Sequence, residues 1–214
     1  MNKEDNFKEK FKEALISTLK VISDDYKINE NENKNVKSKN LNFLEIDSIK
    51  NKEDYNKIRA ETDSEALKRK FSNNNIFQQN APSNSSCKLL YNISEKIRYE
   101  VLGTKMLKGI SSNLKNNYSY KLLNKKKDHI KSKEDVEIAE AFELYMLKNF
   151  MEIKLDSLSE KILSYWEKDF NNSFKKHIKY LYENLENQES YNTKFSEILQ
   201  NMEIFESENN EDEK

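Results

Sequence analysis

Only two glycines, one proline and one cysteine occur in 214 residues. A dinucleotide-binding turn or a phosphate-cradling loop needs several glycines close together, so neither fits this chain. A many-stranded sandwich or barrel needs regularly spaced turn-formers and is disfavoured on the same ground. A single cysteine excludes a disulfide framework, and with two histidines it cannot complete a Cys/His zinc site. No apolar run reaches the 18 residues that would read as a membrane span. The first 13 residues alternate charge with single apolar residues, which is not a signal-peptide pattern. The net charge of −1 points bulk electrostatics at neither nucleic acid nor membrane. A soluble, reduced, cytoplasmic chain is expected.

Charged residues make up 35% and hydrophobic residues 36%, a balance that alone would allow disorder. The 11% aromatic content argues for a packed core instead. What remains is an all-α fold, an irregular bundle of about six or seven helices, with a short strand pair near 25–46 left open.

Lysine outnumbers arginine 34 to 3, and asparagine reaches 29. Lys, Asn, Ile, Phe and Tyr have AT-rich codons, whereas Gly, Pro, Arg and Ala have GC-rich ones. Residues that escaped such a drift are the ones to read: Arg59, Arg69, Pro82, Arg98, Gly103, Gly109 and Trp166. A structural role is the first expectation for each, a functional one the second.

Phe7, Phe11, Leu15 and Ile22 predict a helix over 3–23. Residues 27–40 are polar and low in complexity and predict a loop; 41–49 predict a short strand or an extended stretch. A helix is expected to start near Asp63 or Ser64 and to be ended or interrupted by 72–75. After Pro82, with Ser83, Ser85 or Ser86 as cap, Leu90, Ile93 or Ser94, Ile97 and Val101 form one helical stripe. Gly103 is expected as its left-handed C-cap. Further helices are predicted from Met106 to Leu123 and over 134–151, separated by a basic loop at 124–133. A long helix follows from Asp156 to Leu185, with Asn171 and Asn172 as a potential break, and a last one covers 188–204. Residues 203–214 carry six acids and one lysine and read as a solvated acidic tail.

Chemistry-bearing residues are sparse. His129 and His177 are far apart and lack any Cys or paired-acid context, so surface or core roles are expected. Cys87 at a helix start could have a lowered pKa, but a buried, inert thiol is the preferred reading. Glu95, Arg98 and Glu100 share one helix. Glu95 and Arg98, three apart, predict an intrahelical ion pair rather than an acid–base pair. Six lysines and one aspartate between Lys121 and Lys133, next to Tyr118 and Tyr120, could bind RNA. In a chain this rich in lysine such a cluster is also expected from composition alone.

Residues 59–114 resemble the N-terminal region of the CobT subunit of aerobic, ATP-dependent cobaltochelatase. That family's Arg-Gly-x-Ala-Asp-x-x-Ala-Leu stands here as Arg59, Ala60, Thr62, Asp63, Ala66 and Leu67. Its Ala-Pro is Ala81 and Pro82. Its Glu-Gln-x-Arg-x-Glu-x-x-Gly is Glu95, Lys96, Arg98, Glu100 and Gly103. Its Met-x-Gly-Val-x-x-Asn-Leu is Leu107, Gly109, Ile110, Asn113 and Leu114. Tyr165 and Trp166 stand for a Leu-Trp pair, and Asn187, Gln188 and Tyr191 for Asp-Gln-x-x-Phe. The sequence departs from the family where Phe71, Ser72 and Asn73 replace a His-His-Asp run and Phe77 replaces a further His. The family also continues through an acidic linker into a von Willebrand-type domain with a metal-binding Asp-x-Ser-x-Ser loop, whereas this sequence ends at Glu206–Lys214.

The resemblance implies a helical CobT-type domain over 1–205 with 206–214 as the start of the linker. It implies a coupling or assembly subunit without a catalytic constellation, in a ligase-type complex that inserts cobalt into hydrogenobyrinic acid a,c-diamide during cobalamin biosynthesis. The implied partners are an AAA+ ATPase subunit and a large corrin-binding subunit. The complex uses ATP, Mg2+ and Co2+, and none of these is expected on this chain. The positions carried over as structural or partner-contact residues are Arg59, Asp63, Pro82, Glu95, Arg98, Glu100, Gly103, Gly109, Asn113 and Trp166. Arg98 is the strongest candidate for a bidentate contact, which lysine cannot make. A stand-alone helical adaptor, a nucleic-acid binder and a free-standing helical enzyme stay open beside this reading.

Overall fold

A computed structural model describes residues 3–27, 49–125, 130–202 and 205. Among the described residues there are ten α-helices and no strand. The fold is the expected all-α irregular bundle. The strand pair considered near 25–46 falls almost wholly outside the described residues.

The helix α4 (Ser85–Met106) is the axis of the molecule. Asn84 caps it, its Oδ1 accepting from the Cys87 amide at 3.0 Å. Seven consecutive residues, 97–103, are buried in it. A helix buried all round must be wrapped by neighbours. The wrapping helices are α2 (Lys52–Phe71), α5 (Lys108–Leu123), α6 (Ile138–Phe150) and α10 (Gln188–Gln200). The α1 helix (Lys3–Ser23) lies against α2, with Leu15 and Ile49 buried and Phe11, Tyr55 and Ile58 packed on them. Phe142 of α6 meets Phe170, Phe174 and Phe195 at ring separations of 5.3, 5.5 and 6.0 Å. These aromatic contacts tie α6 to α8 (Glu167–Phe174) and α10 and close the core on that side.

Several boundaries differ from expectation. The α2 helix begins at Lys52 rather than near Asp63. A reciprocal cap starts it: the Asp54 amide donates to Asn51 Oδ1 at 2.9 Å, and the Asn51 amide donates to Asp54 Oδ2 at 3.3 Å. The break expected at 72–75 falls at Ser72 and Asn73, and Asn73 caps the short α3 (Asn74–Gln79), which contains Asn74 and Asn75. The segment expected to be helical from 134 is a 3-10 turn at Lys133–Asp135 before α6. The long helix expected after Asp156 is three helices, α7 (Ser157–Ser164), α8 and α9 (Ile178–Glu183). Its breaks are tight turns, with the Trp166 amide bonded to Leu163 O at 3.0 Å and the His177 amide to Phe174 O at 2.8 Å. Asn171 and Asn172 stay inside α8. The last helix, α10, ends at Gln200 instead of 204.

Gly103 is not a left-handed cap. No glycine has a positive φ, and α4 continues to Met106. A Cβ at Gly103 would stand 2.3 and 2.6 Å from the two methyls of Leu67. The glycine is there because α2 crosses α4 too closely for any side chain.

Candidate functional site

Three polar places can be built from the residues carried by the sequence reading. The first surrounds Arg98, which is 1% exposed. Its Nε and Nη2 donate to the two Glu95 oxygens at 2.8 Å each. Nη1 donates to Leu185 O at 2.7 Å, and Nη2 also donates to Phe71 O. Glu95 Oε1 further accepts from Ser72 Oγ at 2.6 Å and from Gln188 Nε2 at 3.1 Å. The expected ion pair is present, and the guanidinium is spent inside the chain: it stitches α2, α4 and the segment before α10, and Glu95 adds α10 through Gln188. Ser72 and Gln188 were not singled out beforehand as site residues. Their contact with Glu95 shows only in the folded chain, where Ser72 and Gln188 meet across 116 residues.

The second place surrounds Glu100, 1% exposed. Its carboxylate accepts from Ser64 Oγ and from the Tyr118 hydroxyl, both at 2.6 Å. Burial, and then the Glu100 charge, hold the Tyr118 phenol protonated well above its ordinary 10.0. Lys96 lies 4.0 Å from Glu100 and 3.8 Å from Glu143. Glu95 and Glu100 therefore act as hydrogen-bonded struts.

The third place is a groove of about 500 Å³ between α1, α2 and the start of α5. Four of the carried-over residues line it together: Arg59, Asp63, Gly109 and Asn113. Asp63 is 4% exposed at the floor, and Asn113 Nδ2 donates to its Oδ2 at 2.7 Å. Arg59 is exposed on the rim and makes no ion pair among the described residues. The walls are apolar. Val21 and Leu107 remain 60% and 50% exposed there, side by side in one groove. Leu107 occupies the N-cap position of α5 and provides no side-chain cap. The exposure of Val21 and Leu107 is not legible in the sequence, because it depends on how α1, α2 and α5 meet.

Burial raises the Asp63 carboxyl above 3.8, and the Asn113 hydrogen bond and the Arg59 charge only partly offset it. A carboxyl whose folded pKa is raised binds its proton more tightly in the folded state. Stability is therefore expected to fall as pH rises from about 3.8 through the raised folded value. Asp63→Asn retains an oxygen to accept from Asn113 and removes the buried charge. It is expected to raise the melting temperature at pH 7 and to flatten this part of the pH–stability profile. A lower melting temperature for the variant at pH 7 would contradict the assignment.

The remaining candidates have structural positions. Pro82 is buried in the turn before α4. The indole N–H of Trp166 donates to Val136 O at 3.2 Å, and Lys133 Nζ sits 3.9 Å over its ring. Cys87 is fully buried, with Sγ 3.7 Å from Leu199 O. His177 lies at the start of α9, its pKa lowered by burial and then by Lys194 and Lys176. His129 lies outside the described residues. In the basic loop, Lys125 pairs with Glu140 and Lys133 with Asp169 at 2.7 Å. Among the described residues no group of three or more His, Cys, Asp or Glu is placed to hold a metal ion. No helix among them is long and apolar enough to cross a membrane.

Comparison with known families finds that the model described as cobalamin biosynthesis protein CobT matches residues 5–214. No curated protein and no solved structure matches the chain.

Proposed function

From the chain's membership of the CobT family, whose work is cobalamin biosynthesis, we propose that it is a coupling or assembly subunit of an ATP-dependent cobaltochelatase. In this reading it carries no catalytic group of its own. An AAA+ ATPase subunit hydrolyses ATP with Mg2+, a large subunit holds the corrin, and cobalt is the substrate ion. This chain passes the ATPase's conformational work to the large subunit through contacts that differ between states.

The family match over nearly the whole length carries the proposal. The geometry supports it in a second way. The buried ionisable residues Glu95, Arg98 and Glu100 are all bonded inside the chain, which leaves them no reacting partner. Arg59, Asp63, Gly109 and Asn113 instead gather at an open groove, as a contact surface requires. Lys125 and Lys133, at the two ends of the basic loop, are paired within the chain.

Co-purification tests the reading. The tagged chain, expressed in its native host and isolated with ATP and Mg2+, is expected to retain an AAA+ ATPase and a large corrin-binding chain. A well-folded bait that retains neither overturns it.

A further inference from the structure

We infer that the groove between α1, α2 and α5 is a docking site for an acidic amphipathic helix of a partner chain. The inference rests on the coupling-subunit reading and adds the surface and the chemistry of its partner.

Gly109 supplies the first argument. Its φ is not positive, so the backbone does not require glycine. A Cβ there would meet nothing within 4 Å, so packing inside this chain does not require it either. Gly109 is the second residue of α5, where glycine still forgoes alanine's helix propensity. The remaining physical use of a missing Cβ is close approach of another backbone. The open space above Gly109 belongs to the groove.

Charge supplies the second. Arg59 stands on the rim without an ion-pair partner among the described residues. The only carboxylate lining the groove, Asp63, is buried and bonded to Asn113. A second copy docked through the same patch would bring Arg59 no exposed acid. A partner that offers its own Asp or Glu gives Arg59 a forked, charge-assisted contact. Val21 and Leu107 then receive the partner's apolar side chains. A helix fits this role because apolar grooves between helices accept the apolar stripe of another helix, and no strand edge is available among the described residues. One groove of this size makes a small interface, suited to contacts remade in each cycle of a motor.

Photo-cross-linking from position 107 tests the inference. The full chain with Leu107→p-benzoyl-phenylalanine is expressed in its native host and irradiated, and the cross-linked peptide is sequenced. The expected product is a helical segment of a different chain with Asp or Glu within one turn of the cross-link. Arg59→Glu is expected to cut its yield about tenfold, and Asp or Glu→Arg in the captured segment to restore it. Gly109→Ala adds a Cβ that meets nothing within 4 Å in the free chain, and it is expected to cut the yield without lowering the melting temperature. A cross-link to residues 28–48 of this chain or to a second copy overturns the inference. So does an absent cross-link, or a yield that Arg59→Glu leaves unchanged. If the captured chain lies outside the chelatase and the charge swap still rescues it, docking stands and the coupling-subunit reading falls. If both chelatase subunits co-purify without the cross-link, the reverse holds.

Discussion

Arg98→Ala is expected to destabilise the fold by about 3–5 kcal/mol, because it strands the buried Glu95 carboxylate without its countercharge. At roughly 2–4 °C per kcal/mol for a chain of this size, the melting temperature should fall by roughly 6–20 °C. The carbonyls of Phe71 and Leu185 lose their donor as well, which adds to the cost. Arg98→Lys keeps one charge but cannot span both Glu95 oxygens and two carbonyls at once, so it should fall between the wild type and the alanine variant. The informative comparison is Arg98→Met alone against Arg98→Met with Glu95→Gln. If the stranded charge dominates, the double variant is the more stable of the two, although it carries more changes. Thermal melts of these two variants decide this. Equal melting temperatures for the single and double variants would show that lost packing and carbonyl bonds govern the effect instead.

The second large effect is expected at Gly103. Alanine there gains up to about 1 kcal/mol of helix propensity, and overpacking costs typically about 1–3 kcal/mol. Leu67 is fully buried, and even its Cγ would lie 2.9 Å from the new carbon, so the side chain cannot simply swing away. Gly103→Ala should therefore be net destabilising. Gly103→Val should be worse, since it adds bulk and forgoes most of the propensity gain. Leu67→Ala, introduced beside Gly103→Ala, should recover part of the loss by making room, although alone it opens a cavity. Urea denaturation of the four variants checks the order. A Gly103→Ala midpoint at or above the wild-type value would mean that the two helices separate at little cost.

The contrast between these two residues shows what could be read in advance. The Glu95–Arg98 pair is local, three residues apart on one helix, and the helical stripe around it was plain. The reason for Gly103 lies 36 positions away on another helix, and one sequence has no means of showing that crossing. The start of α2 was missed for a different reason. Its first turns carry charge and little apolar periodicity, and their stability comes from the Asn51–Asp54 cap and from α1. The breaks lie on either side of α8, away from Asn171 and Asn172, because asparagine does not by itself end a helix. In the structure Asn171 is instead a hydrogen-bond acceptor for the Tyr145 hydroxyl, at 3.2 Å. At the groove, the sequence named Arg59, Asp63, Gly109 and Asn113 but gave no sign that they converge. Its apolar walls carry no mark in the sequence, since exposure is a property of the assembled fold.

The position of Cys87 has a practical corollary. It is the chain's single thiol, it is fully buried, and its sulfur faces a carbonyl 112 residues later, where the last helix ends. No alkylating reagent reaches that sulfur while α10 lies on α4. Slow alkylation of the untouched protein thus becomes a clock for the detachment of α10, separate from global melting. It also means that a cysteine introduced at the surface can carry a fluorophore or spin label selectively, without first removing the native one.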